Sequence, residues 1–167
     1  NDALQNYKEA VDLAEKLQPH DGRLFTALGE LGRINMGLQR FAEADALFQR
    51  QIKVTEELSG PQSPQMAEPL QNLGMNAVVQ KDYVSAQRYL TRAVELTEKA
   101  YGENSAPLAT SLRFMSMLYL YQNDFDKAEP FLLRAVKIDE TLYGHDGSEA
   151  ILNLTALCSL YDRVGKP

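Results

Sequence analysis

Apolar residues recur along this chain at helical spacing. Leu24, Ala27, Leu28, Leu31, Ile34 and Leu38 keep the i, i+3, i+4, i+7 rule of a helix that buries one face. A second stripe, Tyr83, Ala86, Leu90, Ala93, Val94 and Thr97, does the same farther on. Nowhere does a β-branched run alternate apolar and polar residues between turn residues, so no strand is predicted. The stripes come in pairs, and the pairs repeat. Phe41, Tyr83 and Phe125 stand 42 residues apart, and the Ala three residues after each recurs as Ala44, Ala86 and Ala128. The same step relates Leu28, Leu70, Leu112 and Leu154, then Leu31, Leu73, Met115 and Leu157. It also relates the small residues Gly32, Gly74, Ser116 and Cys158. The pattern predicts an all-α array whose core is a string of neighbour contacts.

Turn and cap residues punctuate the array at the same step. Gly60, Gly102 and Gly144 are placed to end the second helix of each pair in the left-handed region, where a Cβ is penalised. Asp21, Ser63 and Ser105 are placed to cap the next first helix, with Pro64 tolerated in its opening turn. Asp82 and Asp124 are predicted caps of second helices after very short turns, which forces antiparallel hairpins. Pro69 and Pro130 fall inside helical stripes and should bend or shorten them. The opening segment matches a second helix, and the segment from Ser148 repeats the first-helix columns. The predicted units are therefore a half repeat over 1–20, repeats over 21–62, 63–104 and 105–146, and a half repeat over 147–167, eight helices in all.

A first-helix Leu, a Leu and a small residue three and four later, an aromatic, and an Ala three beyond it make a pattern that resembles the tetratricopeptide repeat. In the second unit it reads Leu70, Leu73, Gly74, Tyr83, Ala86, Leu90 and Ala93. The first unit departs with Gln51 in the last Ala column. A period of 42 residues exceeds the family's usual length of about 34 and is similar to the longer repeats of kinesin light chains and related bacterial proteins. The resemblance implies a right-handed superhelical α-solenoid whose first helices line a concave groove. Its groove positions carry over to Arg33, Met36, Gln71, Asn72, Met75, Val79, Arg113, Met117, Leu120 and Tyr121. The turn glycine of the family is replaced by Gln39, Lys81 and Asn123, so strained or reshaped turns are expected. The family's two-carboxylate clamp is not expected, because Gly29, Thr110 and Phe114 occupy several of its columns.

Charge and composition narrow the function. A net charge of −6 and a pI near 5.0 disfavour nucleic acid, which requires clustered cations. No run of about 18 apolar residues is present to insert in a membrane. His20 with Asp21 and His145 with Asp146 fall in corresponding inter-repeat turns, where capping is the expected role and metal binding is not. Cys158 lies in the small-residue column and is expected to be a buried structural thiol. No phosphate loop, zinc spacing or cofactor motif appears. Arg33 and Arg113 would reach the groove, with Glu68 and Asp162 placed to neutralise them. Phe114, Met115, Met117, Leu118, Tyr119, Leu120 and Tyr121 make one helix apolar nearly all round, continued by Met36, Met75, Val78 and Val79. These residues suggest a groove floor for apolar anchors of a peptide.

The sequence is thus expected to encode a non-enzymatic protein-interaction scaffold without metal or cofactor, binding a protein or peptide ligand in its groove. The alternative expectation is a self-assembling segment of a longer solenoid, with both terminal half units exposing apolar helix faces. The first residue is Asn and no apolar leader opens the chain, which suggests a processed product or an excised stretch.

Overall fold

The structure, a computed structural model, describes residues 2–16, 22–145 and 147–164. Among them are eight α-helices and no strand. They are α1 (Asp2–Glu15), α2 (Gly22–Gly37), α3 (Phe41–Ser59), α4 (Ala67–Val79), α5 (Tyr83–Tyr101), α6 (Ala106–Tyr121), α7 (Phe125–Tyr143) and α8 (Ser148–Val164). The pairs α2–α3, α4–α5 and α6–α7 are hairpins, and each helix packs on its neighbours in the chain. Along one side, α2 also touches α4, and α4 touches α6. This is the predicted α-solenoid.

Each hairpin is closed by a Schellman motif. The backbone N–H groups of Arg40, Asp82 and Asp124 donate to the carbonyls of Asn35, Ala77 and Tyr119 at 2.8, 2.9 and 2.9 Å. The residue before each takes the left-handed conformation: Gln39, Lys81 and Asn123 have φ of 60°, 63° and 58°. The expected strain is therefore real, since an L-residue is sterically penalised where the family uses glycine. Asp82 and Asp124 then serve twice. Having closed one helix with the backbone, they cap the next with the carboxylate, accepting from Ser85 and Lys127 N–H at 3.1 and 3.3 Å. Side-chain hydrogen bonds from Ser85 and from Lys127 Nζ, ahead of these backbone bonds, hold both carboxyls below the usual carboxylate range. Arg40 offers α3 no such cap.

The other punctuation is only partly as predicted. Gly60, Gly102 and Gly144 do have positive φ, at 85°, 81° and 76°, but their ψ of 161°, 176° and 171° lies outside the left-handed helical well. That mirror-extended region belongs almost wholly to glycine. Ser63 accepts from Gln65 N–H, but it opens a 3-10 turn, Pro64–Met66, ahead of α4. Pro69 falls in the first turn of α4, which has 13 residues against 16 in α2 and α6. The Ser105 hydroxyl donates back to the Gly102 carbonyl at 3.1 Å instead of capping α6. Pro130 lies within α7, which nonetheless runs its full 19 residues. Asp21 is outside the described residues.

Within a hairpin the helices meet at the small-residue column. A Cβ on Gly74 would come within 2.6 Å of the Leu90 side chain, and one on Gly32 would strike the Phe48 ring. Ala44, Ala86 and Ala128 are fully buried. Cys158 is the exception and a correction: it is exposed. Its column faces the second helix of its own hairpin, and no such helix follows α8 among the described residues.

Polar pairs bridge successive repeats. Thr97 Oγ1 donates to Ser111 Oγ at 3.2 Å. One repeat later the same columns hold Asp139 and Asn153, where Asn153 Nδ2 donates to Asp139 Oδ2 at 2.6 Å. Asp139 is only 2% exposed, and Asn153 Oδ1 is buried without a partner. Burial pushes the Asp139 carboxyl above its ordinary range, Glu149 adds to the rise, and Asn153 and Arg113 oppose it.

Two stability measurements follow from these contacts. Lys81→Gly removes a left-handed penalty of roughly 1–2 kcal/mol and adds glycine's backbone entropy of roughly 0.5–1 kcal/mol, so stability read by urea unfolding should rise by a net of about 0.5–1 kcal/mol. Asn123→Gly should gain less, because Asn tolerates this region. Asp139→Asn should stabilise the chain at neutral pH, since it removes a buried charge and offers Asn153 Oδ1 a donor. A raised pKa means the folded state binds the proton more tightly than the unfolded one. The wild type therefore recovers stability as pH falls through that pKa, and the gap to Asp139→Asn should close on acidification. Paired thermal melts across that range would read the gap.

Candidate functional site

The side chains selected from sequence sit on α2, α4 and α6, and they divide into an inner and an outer set. Gln71, Asn72 and Met75 are inner, each less than one-tenth exposed. Gln71 Nε2 donates to Ser111 Oγ at 2.8 Å, and Asn72 Nδ2 donates to Gln51 Oε1 at 3.4 Å. Gln51 in turn reaches the Phe25 carbonyl at 3.2 Å. Met75 packs with Val78 and Leu118, and Phe114 and Met117 close over it. These three residues join repeat to repeat.

The outer set is accessible. Met36, Val79, Met117 and Leu120 are half-buried and Tyr121 is 52% exposed. Met117, Leu120 and Tyr121 line one pocket of about 380 Å³ together with Asn123 and Arg163. It opens between the end of α6 and the end of α8. Arg163 is held at its edge, donating to Asn123 Oδ1 at 2.8 Å with its guanidinium 4.9 Å from the centre of the Phe125 ring. A second hollow, about 300 Å³, lies near the starts of the first helices, where Phe25, Glu68, Gln71, Tyr101 and Thr110 meet. A larger hollow, about 720 Å³, crosses the opposite helix α5. Its cations are engaged there, Arg88 over the Tyr89 ring and Arg92 on the Pro61 carbonyl, and it contains none of the selected residues.

The two arginines selected from sequence are both engaged with carboxylates. Arg33 contacts Glu30 at 2.5 Å and Glu68 at 3.3 Å. Burial alone would lower its pKa, but the hydrogen bonds and charges of Glu30 and Glu68 outweigh burial and hold it above its ordinary value. Arg113 lies 3.9 Å from Glu149, not against Asp162 as the pattern suggested. Glu149 stands at the start of α8, and the column step placed the acid too near the other end. His145 Nδ1 meets Glu140 Oε1 at 2.7 Å in the turn after α7. His20, Asp21 and Asp146 lie outside the described residues.

Some contributors escaped the sequence reading. Asn76 is fully buried, donating to the Phe41 carbonyl at 2.9 Å and to Asp45 Oδ1 at 2.7 Å, and it fixes the start of α3 from the next repeat. Its column holds Ile34 and Leu118 elsewhere, so periodicity hides it. Asn123 entered as a turn residue, and its amide orients Arg163. A polar residue breaking an apolar column was the available signal for Asn76.

The tetratricopeptide repeat family model matches residues 23–95 and 72–141. Among solved structures, BtubC (BKLC) from P. vanneervenii superposes with a TM-score of 0.77 at 24% identity, over 95% of this chain and 64% of that one. The chain thus spans less than two thirds of the length of BtubC. The nearly identical TPR-like repeats of a Podosopora anserina kinesin light chain superpose with a TM-score of 0.72 at 15% identity, over 98% of this chain and 78% of that one. A substituted form of the same repeats gives 0.74 at 16% identity, with the same coverage of both chains. No curated protein matches. The hairpins, the small-residue column and the family model agree: this chain belongs to the tetratricopeptide repeat family.

Proposed function

We propose that this chain is a non-enzymatic protein-interaction scaffold that takes a peptide or protein segment along its first helices. An apolar anchor of that segment seats between α6 and α8. The observation that carries the reading is the convergence of Met117, Leu120 and Tyr121, three positions chosen from the repeat columns, on one pocket. Met and Tyr suit this use. Methionine adapts its shape to varied partners, and an exposed tyrosine gives a large contact area at small entropic cost. Met75 backs Met117 in the same apolar cluster, while Arg33 and Arg113 keep their carboxylates.

The test begins with peptides selected on the immobilised chain from a displayed random library, with affinities then measured by calorimetry. Met117→Glu and Tyr121→Ala should each weaken a selected peptide about tenfold or more, or about 1.4 kcal/mol. Val84→Glu, at an 83% exposed site on α5, should leave it unchanged. Equal affinity for all forms would sink the groove assignment.

A further inference from the structure

The outer face of α5 carries a charge order that its repeat mates do not share. Where Asp45 and Glu129 stand in α3 and α7, α5 has Gln87, and where Ala46 and Pro130 stand it has Arg88. Farther along, Lys53 and Lys137 give way to Glu95. The contacts depart as well. Arg50, Arg92 and Arg134 share one column, and Glu15, Glu56 and Glu98 another. Arg50 pairs with Glu15 and Arg134 with Glu98, each reaching the preceding second helix. Arg92 breaks this ladder: its guanidinium donates to the Pro61 carbonyl at 2.9 Å.

These side chains meet in the hollow of about 720 Å³ on α5, which reaches Leu70. Arg88 is held with its guanidinium 4.9 Å from the centre of the Tyr89 ring. A ring face and a main-chain carbonyl orient the two cations without cancelling their charge. Asp82, the nearest acid in sequence, is committed to Ser85, and Arg88 is a lesser influence on it. The face belongs to the middle hairpin, with a complete hairpin before it and another after it. Its exposure therefore owes nothing to a missing neighbour.

Val84, Arg88 and Arg92 follow one another at every fourth residue, about 6 Å apart along the helix axis, and Glu95 ends the row. In an extended peptide the side chains of one face recur every second residue, about 6.7 Å apart. The two spacings agree. We propose that this face binds an extended acidic segment of a partner protein, with an apolar residue on Val84, carboxylates two and four residues later on Arg88 and Arg92, and a basic residue beyond them on Glu95. Val84 is 83% exposed and free to take such a contact. The occupant is acidic because two oriented cations face it, and the planar guanidinium fork matches a carboxylate. It is a peptide because the row spans about 16 Å, roughly five extended residues. Glu95, opposite in sign to the arginines, sets the direction in which the segment lies. The net charge of −6 repels acidic partners at large, so binding depends on this local pair and weakens as salt rises.

A fluorescein-labelled heptapeptide with Leu, Glu, Glu and Lys at alternate positions and Ser between them tests the proposal by fluorescence anisotropy at low ionic strength. A scrambled peptide of the same composition is the control. The ordered peptide should bind about fivefold or more tightly than the scrambled one, and Arg88→Glu and Arg92→Glu should each weaken it about tenfold or more. Arg88 is exposed, so helicity by circular dichroism should be unchanged in that variant. Glu95→Lys should lose affinity for this peptide and regain it when the peptide's Lys is replaced by Glu. Met117→Glu should bind it as the wild type does, which separates this face from the pocket between α6 and α8. Equal binding of ordered and scrambled peptides overturns the proposal, as does full affinity in Arg88→Glu. Displacement of the peptide by inorganic phosphate at matched ionic strength also overturns it, assigning the two arginines to a small anion.

Discussion

The structure depends on one close approach, repeated in each hairpin. A first-helix residue with little or no side chain lies under a large apolar residue of the second helix, Gly32 under Phe48 and Gly74 under Leu90. That contact lets two helices share one narrow layer, and there is no deeper core behind it. Stability in such an array is a sum of unit and neighbour terms, so each helix face is either covered by an adjacent helix or left to solvent. Cys158, Ile151 and Leu13 are exposed because no helix among the described residues covers their columns.

Size is traded across the hairpin where the columns vary. The fully buried Gln51 fits where its repeat mates are Ala93 and Ala135 because Gly29 lies opposite, and a Cβ there would sit 2.6 Å from Gln51 Nε2. In the second repeat the same two columns read Gln71 and Ala93, and in the third Arg113 and Ala135. The large member moves to the first helix, where it can turn toward the next repeat or the groove. Gln71 makes the former choice and bonds Ser111. The bridging polar pairs thus differ from repeat to repeat while the apolar frame stays constant, which gives each junction its own strength and pH response. Thr97 with Ser111 is neutral, whereas Asp139 with Asn153 buries a carboxylate.

Contacts that recur were legible in the sequence. The agreeing columns carried the helix count, the pairing and the close-packed seam, and the missing turn glycines at Gln39, Lys81 and Asn123 pointed to strained turns, which the backbone shows as left-handed residues. What the columns could not convey was reach. Arg113 pairs with Glu149 and not Asp162 because a long guanidinium arm selects its acid by local helix offset. Cys158 was misjudged because a column states which residue faces a neighbour, and no helix among the described residues covers this one. Gln71, Asn72 and Met75 belong to groove columns, yet they are buried, since α4 is flanked on both sides by other first helices. Burial of a column position depends on its place in the array as much as on its residue type.

Coverage also decides where first-helix surface stays open. A first helix must cover its own second helix, the preceding second helix and, along the groove, the first helices beside it. In the middle of the array all of these are met, and α4 has little accessible surface left. Toward α6 and α8 the first helices separate enough to leave the pocket lined by Met117, Leu120 and Tyr121. Met117 and Leu120 are held from behind by the clusters they join, which include Met75, Leu118 and Leu132, and are open in front. A rigid rear and an open front are what a peptide anchor requires, because little ordering remains to oppose binding. The proposed partner site therefore has one physical cause, incomplete coverage of first-helix surface between α6 and α8.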